Sequence, residues 1–254
     1  MKLFDAHCHL QDDALFPDFE KIMQRAVAAG VERAVCCGTA PRDWEKVFQC
    51  SEKSDGVLPM VGIHPWFVAK DWKRSFRALE NLLQKHPEAG IGETGLDFQA
   101  RFINRAEQEA CFAAHLDLAC ELNRPVTVHC VRAWGRLSEI LHEHPAPRIQ
   151  LHAFGGAAEL IPELGGLNCW FSFGGSVTNP RAKRARGSVA AVPPERLLIE
   201  TDAPDFPPAD CSSPNEPANL IYILRTVAEL RSISIEEASD VLFRNSINYF
   251  ALNC

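Results

Sequence analysis

Along the chain, short apolar runs alternate with longer stretches of helical periodicity. Runs rich in Val, Ile, Leu, Phe and Cys cover residues 3–8, 33–37, 57–63, 89–92, 126–129, 149–151, 169–173 and 197–200. Most are continuously apolar, as expected of parallel strands buried on both faces. Amphipathic stretches at 19–29, 44–52, 75–85, 106–122, 135–144, 158–164 and 181–190 fall between them, and two more follow at 217–230 and 235–250. In 106–122, Phe112, Leu116, Ala119 and Leu122 recur at helical spacing, with Glu107, Glu109 and Asp117 elsewhere on the wheel. Ser234, three residues before Glu237, predicts a capped start for the last helix. Strand–helix alternation implies right-handed βαβ units and a parallel sheet. Eight units within roughly 200 residues fit an α/β fold of the (β/α)8 TIM-type barrel class with additional C-terminal helices. No Gly-x-Gly-x-x-Gly turn follows the first strand, which weighs against an open doubly wound sheet. Residues 1–254 are expected to form a single domain, with 203–217 as a long loop after strand eight.

Composition narrows the class. The 254 residues are 46% hydrophobic and 23% charged, with a net charge of −7. This is a globular composition and not the broad basic footprint of a protein that coats nucleic acid. Ten cysteines include no Cys-x-x-Cys pair, and several lie inside apolar runs, so they read as small buried hydrophobes. No basic leader followed by a long apolar run opens the chain, and no apolar stretch approaches the ~20 residues of a membrane helix. The cytoplasm is the default expectation, with no membrane or protein partner and a monomeric state.

The ends of the apolar runs carry the chemistry. His7 and His9, two residues apart on one strand, point the same way and can grip one ion. Strand three ends in Gly-Ile-His64-Pro, strand four in Gly-Glu93-Thr-Gly-Leu-Asp97, strands five and six in His129 and His152, and strand eight in Glu200-Thr-Asp202-Ala-Pro. In a parallel barrel these ends meet on one face, where the active sites of this fold lie. A core histidine explains any one of these residues but not metal-ligand types finishing six of eight strands. His7, His9, Glu93, His129, His152 and Asp202 make six ligands, enough for two divalent ions (Zn, Mn or Mg) with Glu93 shared. Such ions stand ~3.5–4 Å apart, and a hydroxide generated on them is a nucleophile at neutral pH. Asp202, beside His7 and His9 where strand eight meets strand one, is also the candidate proton acceptor.

Taken in order, Phe-Asp-Ala-His-Cys-His-Leu at 4–10, Gly-Ile-His-Pro at 62–65, Gly-Glu-Thr-Gly-Leu-Asp at 92–97, Pro-Val-Thr-Val-His at 125–129, His-Ala-Phe-Gly-Gly at 152–156, Glu-Thr-Asp-Ala-Pro at 200–204 and Asn-Glu-Pro-Ala-Asn at 215–219 resemble the TatD family of metal-dependent deoxyribonucleases, within the amidohydrolase superfamily. The resemblance implies a barrel with two divalent metals that hydrolyses DNA phosphodiesters, trimming from an end. A 3′–5′ action on single-stranded or frayed DNA is the leading expectation. Departures fall in loops that would contact substrate. Val131 and Arg132 stand where the family often has Arg and an acid, Ala157 where it often has Ser, and Pro214 where a basic residue often precedes Asn-Glu-Pro.

Outside the six ligands, His64 is expected to donate to the substrate phosphate and to take part in catalysis, and Arg132 to contact substrate. Arg181, Lys183, Arg184 and Arg186 read as a solvated helix face, or secondly as a ridge for a nucleic-acid backbone. Glu200 and Asn215 read as braces, and Trp66, Phe67, Phe98, Trp134 and Phe206 as rim aromatics that either stack on bases or pack locally. Two further readings stay open. One is a hydrolase of a small ester, lactone or amide on the same barrel, although no Lys is placed at the bridge where such relatives often carry a carboxylated one. The other is a metal-binding scaffold without catalysis.

Overall fold

The computed structural model describes residues 1–99 and 104–252. Its strands are β1 (Leu3–Cys8), β2 (Val31–Cys37), β3 (Val57–Val61), β4 (Gly90–Asp97), β5 (Pro125–Val131), β6 (Arg148–Leu151), β7 (Cys169–Phe173) and β8 (Leu197–Ile199). The helices are α1 (Phe19–Ala28), α2 (Trp44–Lys53), α3 (Trp72–Lys85), α4 (Arg105–Leu122), α5 (Trp134–Glu143), α6 (Ile161–Gly166), α7 (Lys183–Ala191), α8 (Leu220–Arg231) and α9 (Ile235–Phe250). Strands pair in sequence order and all are parallel. β8 returns to β1 through the His9 N–H on the Ala203 carbonyl (2.7 Å) and the Asp202 N–H on the His7 carbonyl (3.0 Å). Deeper in that seam Asp5 replaces ladder bonds, accepting the Thr201 N–H at 2.8 Å and the Thr201 hydroxyl. The chain is a (β/α)8 barrel.

Two strands run on past the C-terminal ends of their apolar stretches. β4 continues past Gly92 to Asp97, and β5 past His129 to Val131, because Gly95, Leu96 and Asp97 pair with His129, Cys130 and Val131. The hydrophobic signal stops where the strands begin to line a polar mouth, but their hydrogen bonding does not.

The core has two shells. Helix stripes including Ile22, Val47, Leu79, Phe112, Leu116 and Leu137 pack on the outside of the sheet. Inside, Phe4, Ala6, Val35, Cys37, Met60 and Leu198 meet Ile247, Tyr249 and Phe250 from the end of α9. Phe250 stacks on Phe4 at 5.2 Å between centroids, and the Tyr249 hydroxyl donates to the Val126 carbonyl at 2.9 Å. The last helix thus stoppers the floor of the barrel, each buried ring contributing roughly 1.5–3 kcal/mol. Above this floor lies a polar layer. Thr127 donates to Gln150 at 3.0 Å, and Gln150 donates to Ser172 at 2.9 Å and to Glu200 at 3.1 Å. Buried polar groups of this kind are stable because each has a partner. Ser234 caps α9 by accepting the Glu237 N–H at 3.1 Å. Among the described residues no helix is long and apolar enough to cross a membrane.

Local irregularities aim the next layer up. Between Asp5 and Cys8, β1 advances three residues while β2 advances two, from Ala34 to Cys36. This bulge lets Phe4 and Ala6 face the floor and lets His7 and His9 face inward too, while Cys8 joins the outer shell. β4 carries the same three-against-two irregularity between Ile91 and Thr94, around Glu93.

Candidate metal centre

His7, Glu93 and His129 lie on β1, β4 and β5, while His9, His64, His152 and Asp202 lie just past β1, β3, β6 and β8. All seven side chains meet at the mouth. His7 Nε2 and His9 Nε2 are 3.2 Å apart, and each lies 3.5 Å from both Glu93 Oε2 and Asp202 Oδ1. On the other side Glu93 Oε1 is 2.9 Å from His152 Nε2 and 3.0 Å from His129 Nδ1, which are 3.2 Å from each other. Glu93 therefore offers one oxygen to each of two ligand groups. Donor atoms at ~2.0–2.2 Å around one tetrahedral ion stand about 3.3–3.6 Å apart. The four imidazole–carboxylate separations of the first group have that spacing, its His7–His9 pair is slightly tighter, and the second group is a few tenths of an ångström tighter.

The far side of each ring indicates which nitrogen is free. His9 Nδ1 lies 2.7 Å from the Cys37 carbonyl, which only accepts, so Nδ1 carries a proton and Nε2 is the nitrogen that would give its lone pair to an ion. His129 Nε2 faces Asp97 Oδ2 at 3.6 Å, and His152 Nδ1 faces Glu200 Oε1 at 3.7 Å. Both nitrogens are buried without a hydrogen bond, one step from a carboxylate that would hold their protons. His64 is arranged the other way round. Its Nδ1 accepts the Trp66 N–H at 3.1 Å, so Nε2 carries the proton and points it at Glu93 Oε1, 3.2 Å away. Burial pushes this imidazole down to about 4 against the pull of Glu93, which keeps it neutral. His64 is thus a donor within the cluster rather than a lone pair for a metal.

The electrostatics fit a cation site. Burial alone would raise Glu93, but His152, His64 and His129 hold it well below the carboxylate range. Burial would likewise raise Asp202, yet His7 and His9 keep it ionised. Burial disfavours a charged His9, but Asp202 and Glu93 override it and raise the ring to about 9. The acids thus draw positive charge into a buried site, a demand that divalent ions meet.

Close backbone approach sets the positions. Gly92 (φ 139°) and Gly95 (φ 133°) bracket Glu93, and a Cβ on Gly95 would sit 2.1 Å from the His129 carbonyl. Only glycine fits there. Glu200, fully buried, accepts the Ala153 N–H at 2.6 Å and braces the segment after β6. Asn215 donates to the Thr201 and Asp205 carbonyls at 2.8 and 2.9 Å, tying down the loop after β8. His115 accepts the Ile63 N–H at 3.2 Å, one residue before His64.

The cluster opens into a cleft of about 530 Å³ whose walls include Arg42, Trp66, Phe67, Val131 and Phe206. Arg132 is not among the lining residues; it is exposed on a left-handed backbone (φ 56°), and Val131 takes the wall position. Of the rim aromatics, Trp134 packs on Phe154 at 4.9 Å and Phe98 lies under the Arg105 guanidinium at 4.7 Å. Asp97 stands at the end of strand four in the sequence without a role assigned to it, and Arg42 is not marked there at all. Asp97 accepts from Trp66 Nε1 at 2.6 Å, and it shares a strand face with Glu93 four residues earlier, a signal that alternation along β4 contains. Arg42 lies over the Phe67 ring at 4.1 Å and has no comparable signal.

The family model for TatD related DNase matches residues 4–251. The uncharacterized metal-dependent hydrolase YabD of Bacillus subtilis is 31% identical over 254 residues, covering 99% of this chain and 100% of its own. The 3′-5′ ssDNA/RNA exonuclease TatD of Klebsiella pneumoniae is 34% identical over 238 residues, 90% of each protein. The solved structure of the TatD homologue YjjV from Escherichia coli K12 superposes with a TM-score of 0.94 at 29% identity, covering 99% of this chain and 98% of that one.

Proposed function

The chain belongs to the family of TatD-related DNases, and on that premise we propose that it uses two divalent ions to hydrolyse DNA phosphodiesters, releasing nucleotides from the 3′ end of single-stranded or frayed DNA. The observation that carries this reading is the division of Glu93, with Oε2 toward His7, His9 and Asp202 and Oε1 toward His129 and His152. One ion would be held by the first set and the other by the second. Mixed imidazole and carboxylate donors suit zinc or manganese better than calcium. When bound, such ions polarise the phosphoryl oxygen and acidify a water to near neutrality.

The side chains do the rest. Asp202 turns Oδ1 to His7 and His9 while its carboxylate lines the cleft, so it can accept the proton of the attacking water. His64, neutral and protonated on Nε2, donates to the phosphoryl oxygen that gathers charge. Asp97 and Glu200, 3.6 and 3.7 Å from the outer nitrogens of His129 and His152, are placed to take up their protons, which would leave the inner lone pairs to the ions.

The test is purified protein with added manganese, zinc or magnesium on 3′- and 5′-labelled single- and double-stranded DNA, on RNA, and on ester and lactone panels. Mononucleotides should leave from the 3′ end, and a chelator should stop them. Turnover of lactones or esters with no nucleotide released would replace this reading with the small-molecule hydrolase.

A further inference from the structure

One layer below the metal centre, the hydrogen bonds of the barrel interior all run one way. Thr127 on β5, Gln150 on β6, Ser172 on β7 and Glu200 just past β8 are fully buried. Glu200 is the acceptor at the end of the layer. Its Oε2 takes the Ser172 hydroxyl and Gln150 Nε2 (3.1 Å), and its Oε1 takes the Ala153 N–H at 2.6 Å. The same Oε1 lies 3.7 Å from His152 Nδ1. Among the described residues His152 is the one basic side chain within ion-pair distance of this carboxylate.

The carboxylate dictates the direction of each bond beneath it. Flipping the Gln150 amide would set its oxygen against Glu200 Oε2, acceptor on acceptor. Nε2 therefore faces Glu200, and Oε1 faces the Thr127 hydroxyl at 3.0 Å. Gln150 Nε2 also donates to Ser172 Oγ at 2.9 Å, which leaves the Ser172 proton for Glu200. Two donors on Oε2 fix the plane of the carboxylate, and with it the aim of Oε1 at His152. The other imidazoles are anchored differently. His9 Nδ1 rests on a backbone carbonyl, that of Cys37, at 2.7 Å. Asp97, which faces the outer nitrogen of His129, is held by Trp66 Nε1 at 2.6 Å and Gln99 Nε2 at 3.1 Å. The layer thus reaches the cluster through His152.

We propose that Gln150 and Ser172 are positioning residues that act through Glu200 on His152. The buried layer then sets the affinity of the ion held by His129 and His152, and leaves the ion held by His7, His9 and Asp202 as it is. A partner that orients a ligating imidazole is typically worth about 10- to 100-fold in metal affinity. The proposal rests on the two-ion reading above and adds which buried side chains make the two positions unequal.

The experiment titrates the metal-stripped chain with manganese and counts bound metal by equilibrium dialysis. Wild-type protein should bind two ions. Ser172→Ala and Gln150→Met should each weaken one of the two affinities by about 10- to 100-fold and leave the other unchanged. Gln150→Met keeps the length of the side chain without its donors, and the unchanged affinity shows that the barrel is intact. In Glu200→Gln the weakening should already be present, so adding Ser172→Ala should change little, the non-additivity of groups that act in series. Adding Ser172→Ala to His152→Ala should leave the affinity of the remaining ion where it was. If both affinities keep their wild-type values in Ser172→Ala and Gln150→Met, or both fall together, the layer does not act on one position and the proposal fails. Wild-type protein that binds a single ion would overturn the two-ion reading itself, whatever the variants do.

Discussion

The Trp66 N–H donates to Nδ1 of His64 at 3.1 Å, and that bond decides what the opposite nitrogen can do. A neutral imidazole that accepts on Nδ1 is protonated on Nε2, so His64 enters the cluster as a hydrogen-bond donor. His64→Ala should bind as much metal as the wild type. Its kcat should fall by ~10²–10³, the usual cost of losing one preorganised donor to a charge-gathering oxygen. Elemental analysis and steady-state kinetics on one preparation check this. Loss of one metal equivalent would make His64 a ligand.

Asp202 carries two duties that one substitution separates. Asp202→Asn keeps the shape and a metal-binding oxygen but cannot take a proton. It should retain much of its metal and lose at least ~10²–10⁴ in single-turnover cleavage. A fully metallated variant cleaving at the wild-type rate would pass the base role to another group.

Glu93→Ala and His129→Ala should abolish hydrolysis with little loss of fold. Glu93 faces the polar mouth and not the α9 stopper, and His129 likewise lines the cleft. Thermal melts of both variants without added metal should stay near that of the wild type. Near-normal turnover in either at saturating metal would rule out the assignment.

A pH prediction follows from His115, which is clear of the metal cluster. Burial pushes its imidazole down to about 4 from an ordinary 6.5, against a weaker pull from the Cys111 carbonyl. Above pH 6.5 the ring is neutral folded or unfolded and costs nothing. As pH falls from 6.5 toward 4 only the unfolded chain takes up the proton, so stability drains, by ~2 kcal/mol at pH 5. In His115→Gln that acid loss should be smaller by about the same amount, read from urea unfolding at pH 7 and pH 5. Equal acid loss in both proteins would contradict it.

The repeating apolar runs made the barrel legible, since strands buried on both faces need continuous hydrophobicity and their ends must converge. The candidate ligands were legible as a cluster because His, Glu and Asp have no packing reason to sit at so many strand ends. What pattern could not carry was geometry set by pairing. The bulges in β1 and β4 re-aim His7, His9 and Glu93, yet they exist only as a register against β2 and β5. The role of His64 depends on a backbone N–H two residues away, which no residue type announces. Arg132 looked like a substrate contact from its place after His129, but a left-handed turn takes it out of the wall and leaves Val131 there. The stopper formed by Tyr249 and Phe250 was hidden because the end of a last helix gives no hint of which cavity it fills.

In the proposed reading, phosphodiester hydrolysis needs both halves of the cluster joined by Glu93. This can be read from 3′-end cleavage of single-stranded DNA by metal-stripped protein, followed as manganese is titrated back and bound metal is counted. Cleavage should stay low through the first equivalent and reach its plateau at two per chain. A plateau at one equivalent, or cleavage persisting in the stripped protein, would contradict it.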